Sequence, residues 1–137
     1  EKCDQFITAN EIINPVQNLE KGNSPGSDGI ISDFYIMFQN ELVNILELLY
    51  NNILFHGEMP ESIREVIITL IYKGKGYREE IKNWRPITLL NTDYKILSKI
   101  ITSRIRKSLN VIIDKNRSCG VIGRKITIIT LSIAAML

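Results

Sequence analysis

Two short apolar runs, VIITLIY at 66–72 and RPITLL at 85–90, flank the polar stretch KGKGYREEIKN. The first is rich in β-branched residues and too short for a helix, so it reads as a buried strand. The second returns after two glycines and a dense set of charges. A connection of that length, without helical periodicity, suits an antiparallel pair, because parallel neighbours need a longer crossover. These runs predict a β-hairpin, 64–91, with a long basic tip.

The remaining pattern is helical, which makes the expected fold class α+β: mainly helices around one small antiparallel hairpin. Thr8-Ala9-Asn10-Glu11 has capping-box spacing, and Ile12, Ile13, Val16 and Leu19 follow at helical intervals up to Gly22. Pro15 lies inside that leading helix (1–22) and predicts a kink or a late start. NSPGSDG at 23–29 is a turn cluster in which Gly26 can take positive φ and Asp28 can form an Asx-turn. From Ile30 to Phe55 the apolar residues recur at helical spacing, predicting two helices broken near Gln39-Asn40 and closed by His56-Gly57. That stripe reads as core, and His56, the only histidine, suits a helix C-terminus better than catalysis. Residues 23–63 thus form a helical base.

From Asn91 another helix is expected, with Tyr94, Leu97, Ile100 or Ile101, Ile105, Leu109 and Ile112 on its apolar side. The opposite face carries Lys95, Lys99, Arg106 and Lys107, with no acid between Asp93 and Asp114. Gly120 and Gly123 bracket a turn that ends the 92–125 segment. KITIITLSIAAML then follows and has no charge after Lys125, which reads as an element cut off before its packing partner.

The net charge of +2 conceals an asymmetry: residues 1–63 sum to −8 and residues 64–125 to +10. An excess of that size in one half is the footprint of a polyanionic partner, unless the acidic half neutralises it internally. The chain's 137 residues suit one domain, and 45% hydrophobic with 23% charged residues is a globular composition. Cys3 and Cys119 lack metal or disulfide spacing and read as reduced thiols of an intracellular protein, nuclear or cytoplasmic. No signal segment opens the chain and no apolar run is long enough for a membrane span. No nucleophile triad, phosphate loop or metal-spaced set appears, so neither a catalytic residue nor a metal ligand is expected. What remains is Lys73, Lys75, Arg78, Lys82 and Arg85 crowded on the hairpin. Arginine and lysine are the residues that grip phosphate oxygens, although charges at a tip also keep an edge soluble, and residue type leaves both readings open.

The order SPGSDGI … FYIMFQNEL … LYNNILFHGEMPESIREVIITLIYKGKG … NWRPITLLNTDYKILSKIITSRI resembles the N-terminal part of reverse transcriptases of non-LTR (LINE-type) retrotransposons. In that family a KSPGPDG turn is followed by G-x-x-P before a strand ending in (I/Y)-x-K. Then come N-x-R-P-I-S-L-L-N and a helix opening D-x-K-I-L. The resemblance extends over roughly residues 7–125. It implies the fingers part of an RNA-directed DNA polymerase, with residues 126–137 at the start of a truncated palm. A lysine on the first fingers strand and an arginine on the second contact the triphosphate of the incoming dNTP in such enzymes, and by motif position these are Lys73 and Arg85. Lys75, Arg78, Lys95, Lys99 and Arg106 would then lie towards the RNA template and DNA primer, a sequence-independent electrostatic role.

Departures from the family pattern are Asn23 in place of lysine, Ser27 in place of proline, Pro15 within the first helix, and RSCGVIGRKITII with Arg117 and Val121 where glutamine and phenylalanine are usual. The Mg²⁺ of the full-length family enzyme is held by palm aspartates that do not occur in this chain, so polymerisation by it alone is not expected. The missing palm and thumb would be its structural partners. Alternatives are a domesticated nucleic-acid-binding module, a non-functional relic of a decayed element, or an interaction domain whose acidic first half carries the binding.

Overall fold

The computed structural model describes residues 5–114, and their contacts divide the chain into one unit of residues 6–99 and a second of 1–5 with 100–137. The elements are helices α1 (Ala9–Gln17), α2 (Ser32–Met37), α3 (Gln39–His56) and α4 (Glu61–Arg64), strands β1 (Val66–Tyr72) and β2 (Trp84–Leu90), and helix α5 (Thr92–Ile112). A mixed helical fold with one two-stranded antiparallel sheet is α+β, as expected.

In the first unit α1 packs on α3 and buries Ile12 and Val16, while α3 contributes Val43, Leu46, Tyr50 and Ile53. Each such aliphatic side chain removed from water stabilises the fold by about 1.5–3 kcal/mol. The segment before α1 is tied to α3 by Asn51, whose Oδ1 accepts from the Ile7 N–H at 2.7 Å and whose Nδ2 donates to the Ile7 carbonyl at 2.9 Å. Glu11 closes the first turn of α1 by accepting from the Thr8 N–H. The helix starts at Ala9 despite Pro15 and ends at Gln17, earlier than Gly22. Leu19 is buried from beyond the helix end.

The expected break in the 30–55 region falls at Phe38, between α2 and α3. Gly57 has φ +69° and donates its N–H to Ile53 O, a left-handed stop that any residue with a Cβ disfavours. Gly26 differs from its expectation, since its φ is not positive; the close approach of Asn91 is what demands a glycine there. The Asx-turn forms, with Asp28 Oδ1 accepting from the Ile30 N–H at 3.0 Å.

β1 is not a buried strand. Val66, Ile67, Ile68, Leu70 and Ile71 are all exposed, because among the described residues no second layer covers either face of the ribbon. In α5 Thr92, Ile96, Leu97, Ile100 and Arg104 are buried, whereas Ile105 and Ile112 are exposed. Arg104 belongs to the second unit and donates from Nη1 to Gln5 O at 2.6 Å, which satisfies a cation that the apolar spacing had passed over. Cys3, Cys119, Gly120, Gly123 and the 126–137 segment lie outside the described residues.

Candidate functional site

The hairpin register pairs Tyr72 with Trp84, Ile71 with Arg85 and Leu70 with Pro86. Side chains alternate along a strand, so Arg85, Ile71, Ile87 and Thr69 share one face, and Trp84, Tyr72, Pro86 and Leu70 share the other. Proline is tolerated in β2 because a two-stranded ribbon has only edge strands. Lys73 continues the Arg85 face by parity. Its backbone N–H donates to Asn83 O at 2.8 Å, and its ammonium donates to the Lys82 carbonyl.

The loop is ordered from within. Asn83 Nδ2 donates to Tyr77 O at 2.7 Å and to Glu80 Oε2 at 3.0 Å, and Trp84 Nε1 donates to Arg78 O at 2.8 Å. Tyr72 and Trp84 have ring centroids 5.6 Å apart, and the Arg78 guanidinium lies 5.2 Å above the Tyr72 ring. This stack fixes the start of β2 and hence the backbone from which Arg85 projects. The Arg85 side chain is exposed and has no hydrogen-bond or ion-pair partner among the described residues. Lys75 is likewise exposed and unpaired. Guanidinium and ammonium groups without an internal counter-ion are left to water or to an external anion.

Lys95 and Lys99 stand on the first turns of α5. Lys95 is half-buried, and Lys99 donates to Asn18 O at 3.1 Å. Arg106 belongs to the second unit and is exposed. Among the described residues, no three His, Cys, Asp or Glu side chains converge in a group that could hold a metal ion.

The root of the hairpin contains what residue chemistry alone did not mark. Asn91, 1% exposed, follows β2 directly. Its Nδ2 donates to Ser62 O at 2.7 Å, just ahead of β1, and its Oδ1 accepts from Ser27 Oγ at 3.3 Å and the Asp28 N–H at 3.5 Å. A Cβ on Gly26 would fall 1.9 Å from that Oδ1 and 2.6 Å from the Asn91 nitrogen. Thr92 Oγ1 donates to Ile30 O at 3.3 Å, and Tyr50 Oη donates to Asp93 O at 2.9 Å. One asparagine thus joins both strand roots to the 26–30 loop. Burial raises the Asp93 carboxyl above its usual range, and Asp28 adds to this, against the lowering effect of the Tyr94 N–H at 2.6 Å. Burial also raises the Tyr50 and Tyr35 hydroxyls, with Asp93 contributing to both. The sequence signal for this hub was the recurrence of small and amide residues, SPGSDG and LLN, at the ends of predicted elements.

The proteins this chain is similar to are proteins of mobile elements, among them RNA-directed DNA polymerases. Over 126 residues, 92% of the chain, it is 35% identical to an uncharacterised 149 kDa protein of transposon TX1 from Xenopus laevis, of which it spans 10%. Over 72% of the chain it is 24% identical to the RNA-directed DNA polymerase of the mobile element jockey, and 27% identical to the probable RNA-directed DNA polymerase of transposon BS, both from Drosophila melanogaster. The chain spans 11% of each of these two. It therefore covers about a tenth of the length of the curated relatives it matches. No family model matches it.

Proposed function

We propose that this chain is the fingers portion of a LINE-type RNA-directed DNA polymerase, and that its hairpin binds the triphosphate of an incoming nucleotide. The observation that carries the reading is Arg85: exposed, unpaired and fixed between a stacked tryptophan and a proline on β2. Similarity to RNA-directed DNA polymerases of mobile elements supports the choice of ligand. Arg85 provides the planar fork for phosphate oxygens, and Lys73, on the same face, adds a point charge once its ammonium leaves the Lys82 carbonyl. Lys75 and Arg78 at the tip, with Lys95, Lys99 and Arg106, attract template and primer backbones through non-specific, salt-dependent contacts. The metal chemistry of phosphoryl transfer belongs to residues outside this set.

Trp84 is the only tryptophan and reports on the neighbouring residue, so a nucleoside triphosphate titration followed by its fluorescence tests the reading directly. The expected outcome is saturable quenching by the wild-type chain and a loss of about 10-fold or more in affinity for Arg85→Ala, the size of one charge-assisted contact. Equal affinity of the two proteins would refute it.

A further inference from the structure

Helix α3 carries two apolar stripes. Val43, Leu46, Tyr50 and Ile53 recur at intervals of three and four and are buried. Two residues further on, about 200° around the helix, Ile45, Leu48 and Phe55 form the second stripe, with the polar Asn52 as its one interruption. Ile45 is 62% exposed, Leu48 75% and Phe55 77%. A helix that faces solvent on one side ordinarily presents polar residues there, and apolar character on both sides is the pattern of a helix covered on both sides. Beside the outer stripe, and bordered by its Asn52, is a pocket of about 270 Å³ between the last turns of α3 and the following loop, lined also by Leu49, His56 and Met59 among others. This combination of an apolar ridge and a hole is what a partner helix needs for seating one large side chain.

The surrounding charge specifies the partner. Glu41 lies one turn before Ile45 on the same line, Glu47 lies next to Leu48, Glu58 forms part of the pocket wall and Glu61 begins α4. None of these four carboxylates has a hydrogen-bond or ion-pair partner among the described residues. A second copy of this acidic face would meet it with like charge, which opposes self-pairing. We infer that the outer face of α3 docks an amphipathic helix of another protein, one whose apolar stripe is flanked by lysine or arginine. The surface is distinct from the hairpin and does not depend on the nucleotide reading.

The test uses two synthetic amphipathic helical peptides with the same leucine stripe, one flanked by lysines and the other by glutamates, each titrated with the full chain by fluorescence anisotropy. Expected are binding of the lysine peptide at least about 10-fold tighter than the glutamate peptide, and weakening with added salt. Leu48→Asp and Phe55→Asp should each reduce lysine-peptide affinity by about 10-fold or more, because each places a charge in the buried centre of the contact. Both positions are exposed, so circular dichroism should match the wild type, and Arg85→Ala should bind the peptide normally. Equal binding of the two peptides, binding of neither, or a dimer of the chain that Leu48→Asp dissociates would each overturn the inference.

Discussion

Gly26→Ala should unfold the hairpin root more effectively than its modest chemistry suggests. The added Cβ would lie 1.9 Å from Asn91 Oδ1, 2.6 Å from its nitrogen and 2.8 Å from its Cα, and two of those atoms are backbone that cannot rotate aside. Overpacking of this kind costs about 1–3 kcal/mol. Displacement of Asn91 also endangers its 2.7 Å bond to Ser62 O, worth about 1 kcal/mol. Against this, alanine lowers the entropy of the unfolded chain and returns about 0.4–1 kcal/mol, since Gly26 does not need positive φ. The net expectation is a loss of about 2 kcal/mol. Urea unfolding followed by Trp84 fluorescence and by circular dichroism measures it. Gly29→Ala is the control, because its φ of +73° carries strain but nothing lies within 4 Å of the new Cβ. It should cost about 1 kcal/mol, the ordinary left-handed penalty. In a double-mutant cycle, Asn91→Ala should couple to Gly26→Ala by about 0.5 kcal/mol or more, because removal of Oδ1 relieves the closest clash. A Gly26→Ala midpoint at or above that of Gly29→Ala would refute the reasoning.

Two further outcomes follow from the same region. Tyr50→Phe removes the donor to Asp93 O from a fully buried ring and should cost about 1–2 kcal/mol in thermal or urea unfolding. Asp93 has a raised pKa, so the fold holds its proton more tightly than the unfolded chain and ionisation above the unfolded value of 3.8 weakens the fold. Asp93→Asn keeps an acceptor for the Tyr94 N–H and should raise the melting temperature at neutral pH. The gain should shrink as pH falls and vanish near pH 3.8, which a pH series of melts would show.

The hairpin, its register-setting polar loop, the helix break near Phe38 and the stop at Gly57 were all legible from period and turn chemistry. These are local signals: β-branching, glycine with positive φ and apolar spacing act over a few residues. Burial was legible only in part. VIITLIY reads as a buried strand because isoleucine and valine usually are, yet among the described residues nothing covers either face of the two strands. The 30–55 stripe reads as core, and periodicity does not separate Val43 and Leu46 from Ile45 and Leu48, since both series fit a helix. Arg104 and Asn91 escaped for the opposite reason. Each is a polar residue buried by a partner far along the chain, Gln5 for one and Ser27, Asp28 and Ser62 for the other, and no local pattern announces such pairings. At the candidate site, residue types marked Lys73, Arg85 and the tip cations, whereas the Trp84–Tyr72–Arg78 stack that braces them required the register.

The clamp at Asn91 sets a mechanical tolerance for everything beyond it. Each strand has seven residues, so the ribbon works as an arm about 20 Å long from root to tip. With neither face covered among the described residues, a tilt of about 5° at the root sweeps the tip through about 2 Å, more than a phosphate contact survives. Angular precision at one buried amide is therefore converted into positional precision for cations near the far end. Substitutions around Gly26 and Asn91 should consequently blur ligand geometry before they abolish the fold.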